Sequence, residues 1–349
     1  MAESKSWYRD VNIIRHTHEL VLIYFGASTC GRRMCLAYRV LTAVCVLESS
    51  AIAAACSSPA GRDFVPGRVR TADVHRFVAA LQKIEPGDTA CTSLQSYYAD
   101  ASPGLDVYRR KFKVKITDLC GAIRRSPERY ASLAAKLPGL DSAAGQIGVL
   151  FDKFRAVYPD AKLPEVYFLV GNGVSGGSAT RGSRPRVLIG MELNRTVEAL
   201  PAMLAHEFVH TIQDYPFWGS ANGGPQFIRG PLLRHSINEG AADFIAELIT
   251  GTPNRNVYAE EREAALWREF WEDRHTRDYR RWLYNGWNAK ALGDRPPDLG
   301  YWMGYRITKA YYDRSPDKAQ ALREILSIRN FDRFLETSGY TGEREFRVR

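Results

Sequence analysis

His206 and His210 stand four residues apart in the run Ala202-Met203-Leu204-Ala205-His206-Glu207-Phe208-Val209-His210-Thr211. On a helix the two imidazoles lie one turn apart on one face and can aim at a single point in space. That is what a tetrahedral zinc ion asks of two of its ligands. Glu207 is turned about 100° round the same helix, beside the metal without binding it, and so can take a proton from a metal-bound water. Ser236-Ile237-Asn238-Glu239-Gly240-Ala241-Ala242-Asp243-Phe244 repeats the spacing with carboxylates, Glu239 and Asp243. Glu239 completes a His/His/Glu set holding one Zn2+ per chain, with the fourth position left to water. Asp243 can accept the free N–H of a ligand histidine, the support such ligands generally have. His235 is the alternative third ligand. The plainer readings are core histidines satisfied by backbone carbonyls and ordinary surface carboxylates.

These residues need two helices to carry them. Apolar residues at 200, 203, 204, 208 and 212 keep a helical period, Pro201 suits a first turn, and Asp214-Tyr215-Pro216 suits an end. The second helix runs from Ser236 to about Thr250, where Gly251 and Pro253 stop it. Its Gly240, Ala241 and Ala242 would let another helix approach closely. Upstream, Val166–Val170 and Val187–Met191 read as strands, joined by a run too rich in Gly and Ser for a helix. Helix-like pieces at 72–84, 89–100, 105–123, 127–136 and 141–157 precede them, with breaks at Pro103-Gly104, Pro138-Gly139 and Tyr158-Pro159. From Thr196 the chain is helical again, apart from loops at 214–230, 251–256 and 286–298. The class expected is α+β, predominantly helical with a small sheet.

His206-Glu207-Phe208-Val209-His210 followed by Asn238-Glu239-Gly240-Ala241-Ala242-Asp243 resembles the gluzincin metallopeptidases, thermolysin-like and aminopeptidase-like zincins. Over about 160–310 the chain looks most like the predicted zinc-dependent proteases of bacteria. The resemblance implies a zincin-like (thermolysin-like) catalytic domain and hydrolysis of a peptide or protein substrate, with Glu207 as base. It makes Glu239 the third ligand, Asp243 the partner of His206 and Asn238 the partner of His210. It also matches Tyr301 and Gly304 to a Tyr-x-x-Gly at a helix start, where the Tyr301 phenol would donate to an oxyanion; Tyr305 is the reserve. The glycine-rich run 171–182, with Gly176 and Gly177, would be a substrate-side loop beside an edge strand that pairs with the substrate backbone. Glu192 would hold a substrate amino terminus. The chain departs from thermolysin-like enzymes in the long stretch 211–238, which includes a loop at Trp218–Gly224.

The remaining chain bears on location. From Met34 the sequence reads MCLAYRVLTAVCVLESSAIAAACSSPAGR, one Arg, an apolar stretch and small residues, the layout of an export signal. The small residues before Cys56 suit a signal-peptidase site or a lipoprotein site with Cys56 lipidated and attached to the membrane; a short buried helix is the other reading. Residues 1–33 then read as a gene-model extension or disordered segment, 34–56 as the signal, 57–70 as a linker, 71–140 as a helical segment and 141–349 as the zincin-like domain. The protein would lie in the periplasm or cell envelope. Beyond the signal only Cys91 and Cys120 remain, a natural disulfide pair in an exported domain. The net charge of +9 is spread among interleaved acidic residues, with no basic block or motif that would recognise nucleic acid. Two other classes stay open: a zinc-containing protein of the envelope that binds peptides or a partner without cutting, and a structural lipoprotein that binds nothing through its histidines.

Overall fold

Val166-Tyr167-Phe168-Leu169 and Val187-Leu188-Ile189 show no polar–apolar alternation, the pattern of strands covered on both faces. In the computed structural model, which describes residues 68–343 apart from 86, 195, 216–229 and 287–291, all seven are buried in the sheet. Its four strands are β1 (Val69–Arg70), β2 (Glu165–Leu169), β3 (Gly177–Thr180) and β4 (Arg186–Gly190), in the order β1-β2-β4-β3. β1 and β4 run parallel to β2, while β3 lies antiparallel on β4 with Gly177 opposite Ile189. Strand β3 falls inside the glycine-rich run expected as loop. Gly177 fits there because Glu207 packs against it; an added Cβ would meet the Glu207 Cδ at 3.0 Å.

Before the sheet come α1 (Ala72–Leu81), α2 (Leu94–Ala99), α3 (Pro103–Phe112), α4 (Ile116–Arg125), α5 (Pro127–Ala131) and α6 (Leu133–Val157). The single piece expected at 105–123 is two helices, because Lys113 takes a left-handed conformation (φ 54°) that ends α3. Conversely, α6 is continuous through Pro138 and across residues 140–141. Pro138 is the sixth residue of α6, past the first turn, so the helix runs through it at the loss of the hydrogen bond that residue 138 would donate to the carbonyl of Ala134. After the sheet follow α7 (Leu200–Ile212), α8 (Leu232–Thr250), α9 (Val257–Glu261), α10 (Glu263–Asp273), α11 (Leu299–Arg314), α12 (Lys318–Leu326) and α13 (Phe331–Ser338). The architecture is α+β, mostly helical with a small sheet.

The core is organised by α8, which is buried along most of its length. On one side it packs α7, whose Phe208 stacks on Phe151 of α6 with ring centroids 5.0 Å apart. On the other it meets α11 backbone to backbone. A Cβ at Gly240 would reach 2.5 Å from the Gly304 Cα, and one at Gly304 would overlap the Ser236 carbonyl and stand 2.9 Å from the Ile237 nitrogen. The small residues of α8 therefore do admit a helix at close range.

Cys91 and Cys120 form a disulfide with their Cα atoms 5.8 Å apart, joining α4 to the turn before α2. The loop it closes spans 29 residues, for which chain entropy gives a stabilisation of about 3–4 kcal/mol. Replacing both cysteines by serine should lower stability by that order in chemical denaturation, the wild type under reducing agent falling equally. The expected signal at 34–56, Met34, Cys56 and the Trp218–Gly224 loop lie outside the described residues. Among the described residues no helix is long and apolar enough to cross a membrane.

Candidate metal centre

Helices α7 and α8 bring the expected ligands together. The Nε2 atoms of His206 and His210 are 2.9 Å apart, and the Glu239 Oε2 lies 3.3 Å from the first and 3.1 Å from the second. For metal–ligand bonds of about 2.0–2.1 Å, the edge of a tetrahedron is roughly 3.3–3.4 Å. The three atoms thus stand close to one face of a zinc coordination tetrahedron, and no other His/Cys/Asp/Glu group among the described residues converges in this way.

The outer nitrogens decide what the inner ones present. The His206 Nδ1 is 2.7 Å from the Asp243 Oδ1, and the His210 Nδ1 is 2.8 Å from the Gln213 Oε1. Both outer partners are acceptors, so each Nδ1 carries a proton and donates it. A neutral ring then turns an Nε2 lone pair inward, and Glu239 adds a third acceptor. Three acceptors at this distance repel unless a cation lies among them, a proton on one ring or a metal ion. The electrostatics agree. Burial works against a charged His206, but the Asp243 and Glu239 carboxylates outweigh it and hold the ring's pKa well above its ordinary value. Burial likewise works against a charged Glu239, yet the neighbouring His210 and His206 hold its carboxyl well below the usual range.

The supporting residues are partly those expected. Asp243 serves His206, with its other oxygen accepting from the Asn254 Nδ2 at 3.2 Å. Asn238 does not serve His210. Its side chain donates to the Glu239 Oε1 at 3.2 Å, while Gln213 takes the place beside His210 and donates its own amide to the Asn238 carbonyl at 2.8 Å. Gln213 is the residue at which the chain leaves α7, with ψ 122° turning it back under the last turn. It is 1% exposed. The Tyr284 phenol donates to the Glu239 Oε1 at 2.9 Å. No periodic pattern marks Tyr284, which comes from irregular chain between α10 and α11.

Glu207 is buried beside the ligands, with its Oε2 lacking a hydrogen-bond partner. Burial pushes its carboxyl up, against the pull of His210 and His206. Tyr301 lies with its ring stacked on His206 at 6.1 Å between centroids. Tyr305 donates to the Glu247 Oε2 at 2.9 Å instead. His235 is a buried neutral ring, held down to about pH 4 by burial, outside the ligand group.

The substrate-side assignments come out differently. Glu192 is 3% exposed, and its oxygens accept the N–H groups of Gly171 at 2.9 Å and Gly173 at 3.1 Å. Phenols from the N-terminal helices brace the same run: Tyr97 donates to the Val170 carbonyl, Tyr130 to that of Gly171 and Tyr108 to that of Ser175. Glu192 therefore holds this run in shape, where a group for a substrate amino terminus was expected. Gly176 is fixed by its carbonyl, which accepts from the Gly190 N–H and the Asn194 side chain, both at 3.0 Å. At the edge of β3 the Gly177 carbonyl accepts from the Ser175 Oγ at 2.5 Å and the Ala179 carbonyl from the Lys111 Nζ at 3.2 Å. An edge capped in this way lacks the free carbonyls that an added peptide strand needs.

Residues 245–342 match a family model described as gliding motility protein GldB. No curated protein and no solved structure matches the chain. The matched residues run from within α8 through α13 and include Tyr284 and Tyr301, while His206, His210 and Glu239 precede them. This match corrects the expected activity. The family that the chain is similar to is described as a motility protein and not as a peptidase, so peptide-bond hydrolysis does not stand as the function.

Proposed function

We propose that the chain is a lipoprotein of the cell envelope that holds one zinc ion through His206, His210 and Glu239 and binds a peptide or protein partner at that centre without cutting it. The observation that carries the zinc is the convergence of three acceptor atoms whose outer partners, Asp243 and Gln213, fix both imidazoles to face inward. The envelope role rests on the similarity of residues 245–342 to a gliding motility protein and on the export layout ending at Cys56. By the same similarity the partner would be one that serves gliding motility. The scaffold we infer is zincin-like: an edge strand beside the helix carrying both histidines, and a second helix supplying the glutamate.

A zinc ion there would supply a Lewis-acidic centre with a fourth position for a partner's donor atom. Around it, His206 and His210 are held by their Nδ1 hydrogen bonds, and the Glu207 carboxylate lies buried beside them. The test is incubation of a mixed-sequence peptide library with the zinc-loaded protein, read by mass spectrometry. Peptides should be retained and recovered intact, and a chelator should release them. Cleavage products that vanish with the chelator would contradict the reading.

A further inference from the structure

We propose that Tyr284 is a positioning residue of the metal centre, holding the second oxygen of Glu239 so that this carboxylate meets a metal ion through one oxygen only. The inference rests on the metal-binding reading above. Glu239 is split between two tasks in the structure. Its Oε2 faces both imidazole Nε2 atoms, while its Oε1 accepts from the Tyr284 phenol at 2.9 Å and from the Asn238 amide at 3.2 Å. A carboxylate whose outer oxygen is engaged in this way cannot turn to chelate through both oxygens without breaking those bonds. Hydrogen bonds to a charged acceptor are the stronger kind.

The backbone under Tyr284 supports a dedicated role. Its φ is 55°, in the left-handed region that a bulky non-glycine residue seldom enters. Such conformations persist only where the surroundings fix them, and they gather at functional sites. Here the fixing is explicit. The Asn285 N–H donates to the Asp298 Oδ1 at 3.1 Å and the Asp298 N–H to the Asn285 Oδ1 at 2.8 Å. Asp298 is itself left-handed, at φ 62°, and leads into α11. This reciprocal pair ties the Tyr284 turn to the helix that carries Tyr301. The rings of Tyr284 and Tyr301 then meet edge to face at 6.1 Å, and that of His235 closes the other side of Tyr284 at 6.4 Å. Tyr284 is 38% exposed as a residue, while its phenol is buried against the Glu239 carboxylate.

The experiment is cobalt(II) titration of the whole chain, wild type against Tyr284→Phe, with visible absorption and competition against a chelator. The wild type should bind one cobalt with the intense bands of a four-coordinate ion. Tyr284→Phe keeps the ring and loses the donor, so Glu239 becomes free to chelate. The bands should weaken as a fifth donor joins, and affinity should fall roughly 10–100-fold, the usual cost of losing a partner of a metal ligand. Asn285→Ala, which loosens the turn and leaves the phenol in place, should shift the spectrum in the same direction by less. Tyr311→Phe, on the same helix α11 but with its phenol donating to Glu324 of α12, should leave the spectrum unchanged. If Tyr284→Phe binds cobalt with wild-type bands, at any affinity, the positioning role is overturned while the metal site stands. If the wild type binds no cobalt, the metal-binding reading itself fails.

Discussion

Gly304→Ala is expected to cost about 3 kcal/mol or more of folding stability, a large part of the 5–15 kcal/mol typical of a domain. A single methyl group would normally be tolerated on a helix, and alanine is the better helix former. At Gly304 the methyl would overlap the Ser236 carbonyl and approach the Ile237 nitrogen to 2.9 Å, both backbone atoms in the middle of the core. No rotamer can relieve that overlap, so α8 and α11 must move apart and lose burial along their shared face. Gly240→Ala faces the same backbone from the other side and should behave alike. Gly145 is the control. It lies within α6 with open space where the Cβ would go, and Gly145→Ala should stabilise by about 0.5–1 kcal/mol. Urea or guanidinium midpoints would decide; a Gly304→Ala protein as stable as wild type would mean that the α8–α11 contact is looser than described. Because that contact sets Glu239 against the histidines, a folded Gly304→Ala protein should also bind metal more weakly.

His206→Ala should abolish zinc retention at micromolar concentrations. Structural zinc sites gather about 10–16 kcal/mol from four ligands, so the loss of one ligand corresponds to roughly 2.5–4 kcal/mol, on the order of a hundred- to a thousandfold in affinity. The substitution also leaves the Asp243 Oδ1 without its donor, Asn254 still serving the other oxygen. Melting temperature with excess zinc should therefore fall together with metal content, since a bound ion stabilises the state that holds it. Asp243→Asn is the milder companion. It keeps the shape, weakens the grip on the His206 Nδ1 proton, and should cost about 10–100-fold in affinity with the ligands intact. Wild-type affinity in His206→Ala, read by chelator competition, would remove His206 from the site.

Much of this centre is legible in the sequence because helices impose a strict spacing. His206 with His210, and Glu239 with Asp243, are neighbours on a helix whatever surrounds it, and apolar backing shows that both helices are covered. Gly240 announces a close approach for the same reason, although only the structure reveals Gly304 as its counterpart. What escapes is what tertiary packing decides. Gln213 occupies the first non-helical position after α7, and its usefulness to His210 depends on a single ψ angle. Tyr284 comes from irregular chain, at a backbone conformation that its residue type does not advertise. Glu192 follows a strand, as a group lining a cleft might, yet three tyrosines from helices far away in sequence close over the run it holds. Strand β3 is hidden by its composition: glycine is poor in strands, but Glu207 leaves room for nothing larger at 177. The activity expected by resemblance drew on about 160–310, with its ligand motifs at 206–243, while the similarity to a gliding motility protein covers 245–342. The candidate ligands His206, His210 and Glu239 thus lie outside the matched region, which nevertheless overlaps the span of the resemblance.

Metal analysis of the full chain purified without added zinc, alongside the His206→Ala/Glu239→Ala double variant, bears on all of this at once. One zinc per chain is expected in the first and none in the second, with both proteins folded by circular dichroism. A wild-type chain free of zinc that also fails to take it up on titration, or a double variant that retains a full equivalent, would contradict the site.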